Sequence, residues 1–367
     1  MGVNVRLKVP EHILSIPPYV PGKPVEDVER ERGIRQSIKL ASNENPLGPS
    51  PKALAALRQS LASVHRYPDS AGYELTRKLA ARHRLDPEQI VLGNGSDDII
   101  GMLARAFLQP GDEVIMPKPA FQMYEIETRA AAAVPVEVPL KRWRTDLEAM
   151  AAKLTPRTRI VFVNTPHNPT GGLVMRAELE AFLTLLPADV ILVLDEAYIE
   201  FVRDPAGPDS LDYMRAGRPV VGLRTFSKAY GLAGLRVGYG IMPAEVAGIL
   251  NRVRQPFNVN RPAQAAAAAA LDDAEFLEET LRVVHRGVDY LQRALAELGL
   301  ECLPTQSNFL MVGGLGEARQ VYEGLLDRGV IVRPLTSYGF PDCIRVNAGR
   351  PEENQRFVEA LRQVLAL

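Results

Sequence analysis

The stretch Val190-Ile-Leu-Val-Leu-Asp-Glu-Ala-Tyr198 opens with five consecutive apolar residues and then turns acidic. An apolar run of this length without alternation is the pattern of a strand covered on both faces, as in a parallel sheet flanked by helices. Similar runs stand at 89–92, 113–116, 134–138, 159–163 and 220–223. Between them lie segments with helical spacing, such as Leu75, Leu79 and Ala80. Strand alternating with helix predicts an α/β fold whose central sheet is mostly parallel.

Beyond Val259 the texture changes. Residues 262–299, rich in alanine and leucine, predict one or two long helices. A strand over 307–312, a helix over 317–328, strands over 330–333 and 343–347 and a helix over 352–366 then predict a smaller α+β domain. The first residues, rich in proline and charge, read as an arm across the surface or between subunits.

With 367 residues, the chain has room for two or three units at ~150 residues per domain. Its 43 basic and 44 acidic side chains leave a net charge of −1, so no global field recruits nucleic acid or an anionic membrane. Two cysteines, Cys302 and Cys343, are too few for a disulfide scaffold, and the five histidines show no metal-ligand spacing. The apolar runs fall far short of the ~20 residues of a membrane helix, and charges and prolines interrupt the start. The expectation is a cytoplasmic protein with no metal, membrane or nucleic-acid partner.

In an open parallel sheet, ligands bind beyond the carboxyl ends of the strands. After 89–92 stands Gly93-Asn-Gly-Ser-Asp97, small residues opening a helix, which suits an anion or serves as a plain N-cap. After 159–163 stands Asn164-Thr-Pro-His-Asn-Pro-Thr-Gly-Gly172, a tight loop that presents Asn168 or is simply a turn. Asp195 ends its run where a buried carboxylate needs a cationic partner, with helix capping the alternative. Lys228 follows the 220–223 run in a glycine-studded, charge-poor stretch. Lysine is usually solvated, but a desolvated one loses proton affinity and becomes a Schiff-base nucleophile. An anion cradle, an acid, a tyrosine and a lysine at successive strand ends are what pyridoxal phosphate requires.

On these motifs the sequence resembles the fold type I pyridoxal-phosphate aminotransferases, and within them the histidinol-phosphate aminotransferases. The resemblance runs from Leu40-Ala-Ser-Asn-Glu-Asn-Pro-Leu-Gly48 through Gly93-Asn-Gly-Ser-Asp97, Asn168-Pro-Thr-Gly171, Asp195-Glu-Ala-Tyr198 and Thr225-Phe-Ser-Lys-Ala-Tyr-Gly231 to Ile344-Arg-Val346. It implies three catalytic residues: Lys228 bonded to the cofactor aldehyde, Asp195 at the pyridine nitrogen and Tyr198, with Asn168, at the ring O3′. The cofactor phosphate falls to Gly95, Ser96, Asp97, Ser227 and Arg236, and the stacking aromatic to Phe121, with Tyr124 the alternative.

The same resemblance assigns Arg345 to a substrate carboxylate and Tyr19 and Asn43 to the substrate pocket. Arg333 is assigned to a substrate phosphate, with Arg252, Arg254 and Arg261 as alternatives. Tyr67 would reach the cofactor phosphate of a partner subunit, which implies a homodimer. The expected division is an arm over 1–45 joined to the small domain, a cofactor-binding domain over 46–262 and a small α+β domain over 263–367. One departure is His167, where the family usually has asparagine, which leaves the shape of that loop open.

The expected reaction is transfer of the amino group of L-histidinol phosphate to 2-oxoglutarate, a step of histidine biosynthesis. An aromatic aminotransferase acting on phenylalanine or tyrosine is the nearest alternative. A decarboxylase of a phosphorylated amino acid and a non-enzymatic regulator stand further off.

Overall fold

A computed structural model describes residues 8–19 and 22–366. Thirteen strands are present among them: β1 (Ile38–Lys39), β2 (Ile90–Gly93), β3 (Glu113–Lys118), β4 (Val134–Pro139), β5 (Thr158–Asn164), β6 (Ile191–Asp195), β7 (Val220–Thr225), β8 (Gly238–Ile241), β9 (Glu301–Cys302), β10 (Phe309–Gly313), β11 (Val330–Ile331), β12 (Arg333–Pro334) and β13 (Ile344–Asn347). Seven form the main sheet, in the order β2-β8-β7-β6-β5-β3-β4.

The unbroken apolar runs do what their pattern requires. Along β5 and β6, successive side chains enter opposite cores, because strand residues alternate faces. Ile160, Phe162, Ile191 and Val193 pack with Ile99, Leu103 and Leu250 on one face. Val161, Val163, Leu192 and Leu194 pack with Leu179 and Phe182 on the other. Helices therefore cover both faces, and the polar residue that ends each strand is left at the sheet's edge.

The sheet is mostly parallel, as expected, with one strand reversed. The 89–92 run becomes β2, which pairs antiparallel with β8, and β8 pairs antiparallel with β7. Strand β8 reads Gly-Tyr-Gly-Ile, too short and glycine-rich to register as an apolar run. The glycine is sterically required, since a Cβ on Gly238 would lie 2.5 Å from the Ser96 nitrogen. Strand β4 is an edge strand with Val134 exposed and prolines at 135 and 139, so it is not buried on both sides.

The second sheet has the order β12-β13-β10-β9. The strand expected over 330–333 divides in two: β11 pairs in parallel with β1, and β12 pairs antiparallel with β13. Of the two helices in the alanine-rich segment, Arg261–Leu271 is capped by the Asn260 side chain and joins the core that holds Leu75, Leu92 and Tyr239. The 24-residue helix Ala274–Glu297 buries Val284, Val288, Leu291 and Leu295 with Phe309 and Phe357 beside the second sheet. No helix among the described residues is long and apolar enough to cross a membrane.

Candidate active site

Asn164, Asp195 and Thr225, the last residues of β5, β6 and β7, line one cavity of about 440 Å³. Ser42 and Asn43, just beyond β1, and Arg333 and Arg345, from β12 and β13, line it as well. The cavity lies between the two sheets and draws on both. Ser96, Asp97, Phe121, Asn168, Tyr198, Ser227, Lys228, Arg236 and Tyr19 complete the set of sequence-predicted residues found there.

Asp195 is buried, and burial raises its carboxyl proton affinity to about 6. Its Oδ2 accepts a 2.5 Å hydrogen bond from the Tyr124 hydroxyl and its Oδ1 a 3.2 Å bond from the Ala197 N–H. Lys228 is half-buried, and its Nζ donates to the Ser42 carbonyl at 3.0 Å. Burial first, and then the Arg345 charge, lower the Lys228 ammonium to about 8. The amine stands 5.8 Å from the centre of the Tyr198 ring, whose hydroxyl accepts from Asn43 Nδ2 at 2.8 Å. Burial pushes the Tyr198 phenol up to about 12.

Arg345 is only 6% exposed and forms no ion pair with a carboxylate among the described residues. Its Nη1 donates to Asn168 Oδ1 at 2.5 Å and its Nη2 to the Ala41 carbonyl at 2.7 Å, while its Nε has no partner. Burial accordingly lowers its proton affinity. Arg333 is the direct cross-strand partner of Arg345 in the β12–β13 pair. Directly opposed residues of an antiparallel pair project from the same face, so the two cations flank the same part of the cavity.

The third cation is Arg236, at φ +56°. It lies over the start of helix Ser96–Phe107, where a Cβ on Gly95 would come within 2.5 Å of Arg236 Nη2. Gly95 itself takes φ +81°, a backbone conformation that favours glycine. Arg236 reaches Asp97 at 3.4 Å and Ser227 Oγ at 3.5 Å, long contacts at a helix start whose N-cap residue makes no side-chain cap. A guanidinium over a helix N-terminus is a seat for a phosphate-like anion.

Several expected residues lie elsewhere. Tyr67 is 78% exposed, stacks on Phe257 at 4.6 Å and does not line the cavity. Neither Arg252, Arg254 nor Arg261 lines it; Arg261 donates to the Tyr67 carbonyl. Tyr124 is not a wall of the cavity but sits behind it, stacked on Phe162 at 4.4 Å and bonded to Asp195. His167 is fully enclosed, with Nε2 3.0 Å from the Pro119 carbonyl and Nδ1 2.9 Å from Thr170 Oγ1. Since a carbonyl only accepts, Nε2 carries the proton and Nδ1 accepts from Thr170. Burial lowers this imidazole to about 4, and it ties the Asn168 loop to the segment before Phe121.

Several lining residues escaped the sequence reading, Asn164 and Tyr338 among them. Asn164 lies in the quoted loop and ends a strand, a signal that was present, whereas Tyr338 sits in a short turn with no sequence signal. Three buried polar atoms on the cavity's lining residues lack a partner: Asn43 Oδ1, Asn164 Oδ1 and Arg345 Nε. Orphaned polar groups gathered on one cavity are what a polar ligand would satisfy. No cluster of three or more metal-ligating side chains is found among the described residues.

The profile of aminotransferase class I and II matches residues 35–361. Histidinol-phosphate aminotransferase of Moorella thermoacetica is 48% identical over 360 residues, covering 98% of this chain and 93% of the relative. Histidinol-phosphate aminotransferase 2 of Pseudomonas aeruginosa is 50% identical over 356 residues, 96% of each chain. Among solved structures, histidinol-phosphate aminotransferase from Sinorhizobium meliloti in complex with pyridoxal-5'-phosphate superposes with a TM-score of 0.90 at 29% identity, covering 99% of both chains. The aspartate aminotransferase from Thermus thermophilus with maleate gives a TM-score of 0.84 at 26% identity, over 98% of this chain and 100% of that one.

Proposed function

The chain belongs to the class I and II aminotransferases, and from that premise we propose that it binds pyridoxal 5'-phosphate and transfers the amino group of L-histidinol phosphate to 2-oxoglutarate. The products would be imidazole-acetol phosphate and L-glutamate, a step of histidine biosynthesis. The names of its relatives support this substrate. The observation that carries it is the Arg333–Arg345 pair, two cations in register on one wall of the cavity. One arginine suffices for a carboxylate; a phosphate dianion uses two.

The residues present fit the cofactor. When bound, it supplies an aldehyde that condenses with amines and a ring that takes up the electron pair released at the substrate Cα. Ser96, Asp97, Ser227 and Arg236, with the Gly95 turn, would hold its phosphate at the helix N-terminus. Asp195 would accept from the protonated ring nitrogen, and Asn168 and Tyr198 would hold the ring oxygen. Phe121 would cover one face.

Lys228 would first hold the cofactor and then, released by substrate, carry a proton from Cα to the cofactor carbon and back. A lysine titrating at about 8 is suited to that work, since near neutrality an appreciable share is already a free amine. Arg345 would pair the α-carboxylate of 2-oxoglutarate and glutamate and, together with Arg333, the phosphate end of histidinol phosphate, with Tyr19 and Asn43 at the pocket wall. Arg345 also holds Asn168 through the 2.5 Å bond, so substrate anchoring and cofactor orientation share one guanidinium.

Tyr67 is exposed and does not line its own cavity, and it would complete the phosphate site of a second copy. Mixing a Lys228→Ala chain with a Tyr67→Ala chain is then expected to restore activity that neither has alone.

The reading is tested by borohydride reduction of the pyridoxal-phosphate-loaded protein, followed by peptide mapping and product analysis with histidinol phosphate. The expected result is cofactor mass on Lys228 and glutamate formed mole for mole with the keto product. Carbon dioxide released from a phosphorylated amino acid, with no glutamate formed from histidinol phosphate, would establish the decarboxylase, and full turnover by Lys228→Ala would end the proposal.

A further inference from the structure

Tyr124 has no place in the chemistry set out above, yet it makes the shortest bond to Asp195. Its ring is fully buried, parallel to Phe162 at 4.4 Å and 6°, and edge-on to Phe121 at 5.8 Å. Two aromatic neighbours therefore fix the ring in both rotation and tilt, and the hydroxyl is aimed at Asp195 Oδ2 at 2.5 Å. The residue does not line the cavity. Whatever it contributes passes through the carboxylate.

We propose that Tyr124 is a positioning residue that limits the basicity of Asp195, so that the proton shared with a bound pyridine ring stays on the ring. This rests on the reading of the site as a pyridoxal-phosphate site. A carboxylate without cationic neighbours in direct contact must be held as an anion by donors, and among the described residues two are present, the Tyr124 hydroxyl and the Ala197 N–H. The other groups facing it are Asp97, which raises its proton affinity, and Lys228, which lowers it.

The phenol can act only as donor. Burial and the neighbouring Asp195 charge push its own ionisation well above the ordinary range. Hydrogen bonds to charged groups are strong enough that losing one makes a carboxylate about tenfold or more stronger as a base. A stronger base at this position draws the proton off the ring nitrogen. A bound ring would then take up electrons less readily, and its link to Lys228 would hold a proton more tightly.

The test is Tyr124→Phe, which keeps both ring contacts and removes only the hydroxyl, measured as the holoenzyme beside wild type. The expected result is a rise of about one unit in the pH midpoint of the bound cofactor's visible absorbance, without substrate present. A kcat reduced about tenfold, with the KM for 2-oxoglutarate within about twofold, is expected alongside. Phe162→Leu, which loosens the ring but keeps the hydroxyl, is expected to shift the midpoint in the same direction by less. An unmoved midpoint in both variants, with only melting temperature or cofactor affinity reduced, would mean a packing role and overturn the inference. A wild-type protein that shows no cofactor absorbance at all overturns the underlying reading, which the wild-type arm reveals separately.

Discussion

Two arginines of this chain are buried to the same degree, each 6% exposed, and have opposite surroundings. Arg224 lies on β7 with its Nε 2.9 Å from Glu196 and its Nη2 2.7 Å from Asp209, and Glu196 is held in turn by Ser210. Although burial opposes its charge, Glu196 above all keeps its proton affinity high. Arg345 has an amide and a carbonyl where Arg224 has carboxylates. The first is a closed electrostatic unit that holds the sheet to the segment after it. The second is a desolvated cation kept without its counter-ion, which is costly unless a ligand supplies one.

Replacing each arginine separates the two roles. Arg345→Ala is expected to lower kcat/KM by about a thousandfold, the order seen when one partner of a buried charge pair is removed. Its melting temperature should stay level or rise, because an uncompensated charge has been taken out of the interior. A destabilised protein with near-normal turnover would erase the distinction. Arg224→Ala should do the reverse, costing about 3 kcal/mol in denaturant unfolding by stranding Glu196 and Asp209. The fraction that remains folded should turn over within about twofold of wild type.

The cross-strand neighbour sharpens the picture. Arg333→Gln removes one of two cations and is expected to reduce kcat/KM for histidinol phosphate about thirtyfold, the worth of a charge-assisted hydrogen bond. Phenylalanine, which brings no phosphate, should be affected within about threefold. Equal losses on both substrates would show that Arg333 serves the fold rather than the phosphate.

The smallest effect is on pH. Lys228 must be a free amine to condense with an aldehyde, and its ammonium is lowered to about 8. Below that pH the free amine is the minor form, so cofactor uptake by the apoprotein should rise about tenfold per pH unit and level off near 8. Arg345 contributes to the depression. In Arg345→Gln the bend should therefore move to higher pH; a bend that does not move would uncouple the two cations.

The difference between the arginines was only half legible in the sequence. Strand β6 declared itself because five apolar residues run straight into Asp195, and a doubly covered strand leaves its end residue at the ligand-binding edge. Lys228 and Asn168 were legible for the same reason. Arg345 was found through resemblance, but its lack of an acid is a fact of three dimensions. Strand β8 was hidden because its two glycines, one of them needed for close approach to the Ser96 backbone, remove the apolar signal. Tyr124 was weighed as a stacking ring, and nothing in its local sequence announces a bond to a carboxylate 71 positions away. The break at Val332, which sends β11 to β1 and β12 to β13, is set by pairing partners distant in sequence.

The central claim is that Arg345 and Arg333 keep a doubly cationic wall for a phosphorylated amino substrate beside Lys228. The most direct test is the ratio of kcat/KM for L-histidinol phosphate to that for phenylalanine, each with 2-oxoglutarate as acceptor. A ratio of about a hundred or more is expected, since phenylalanine brings a carboxylate for Arg345 but forgoes the charge-assisted contact that a phosphate makes with Arg333. A ratio near or below one would contradict the account and make the chain an aromatic aminotransferase.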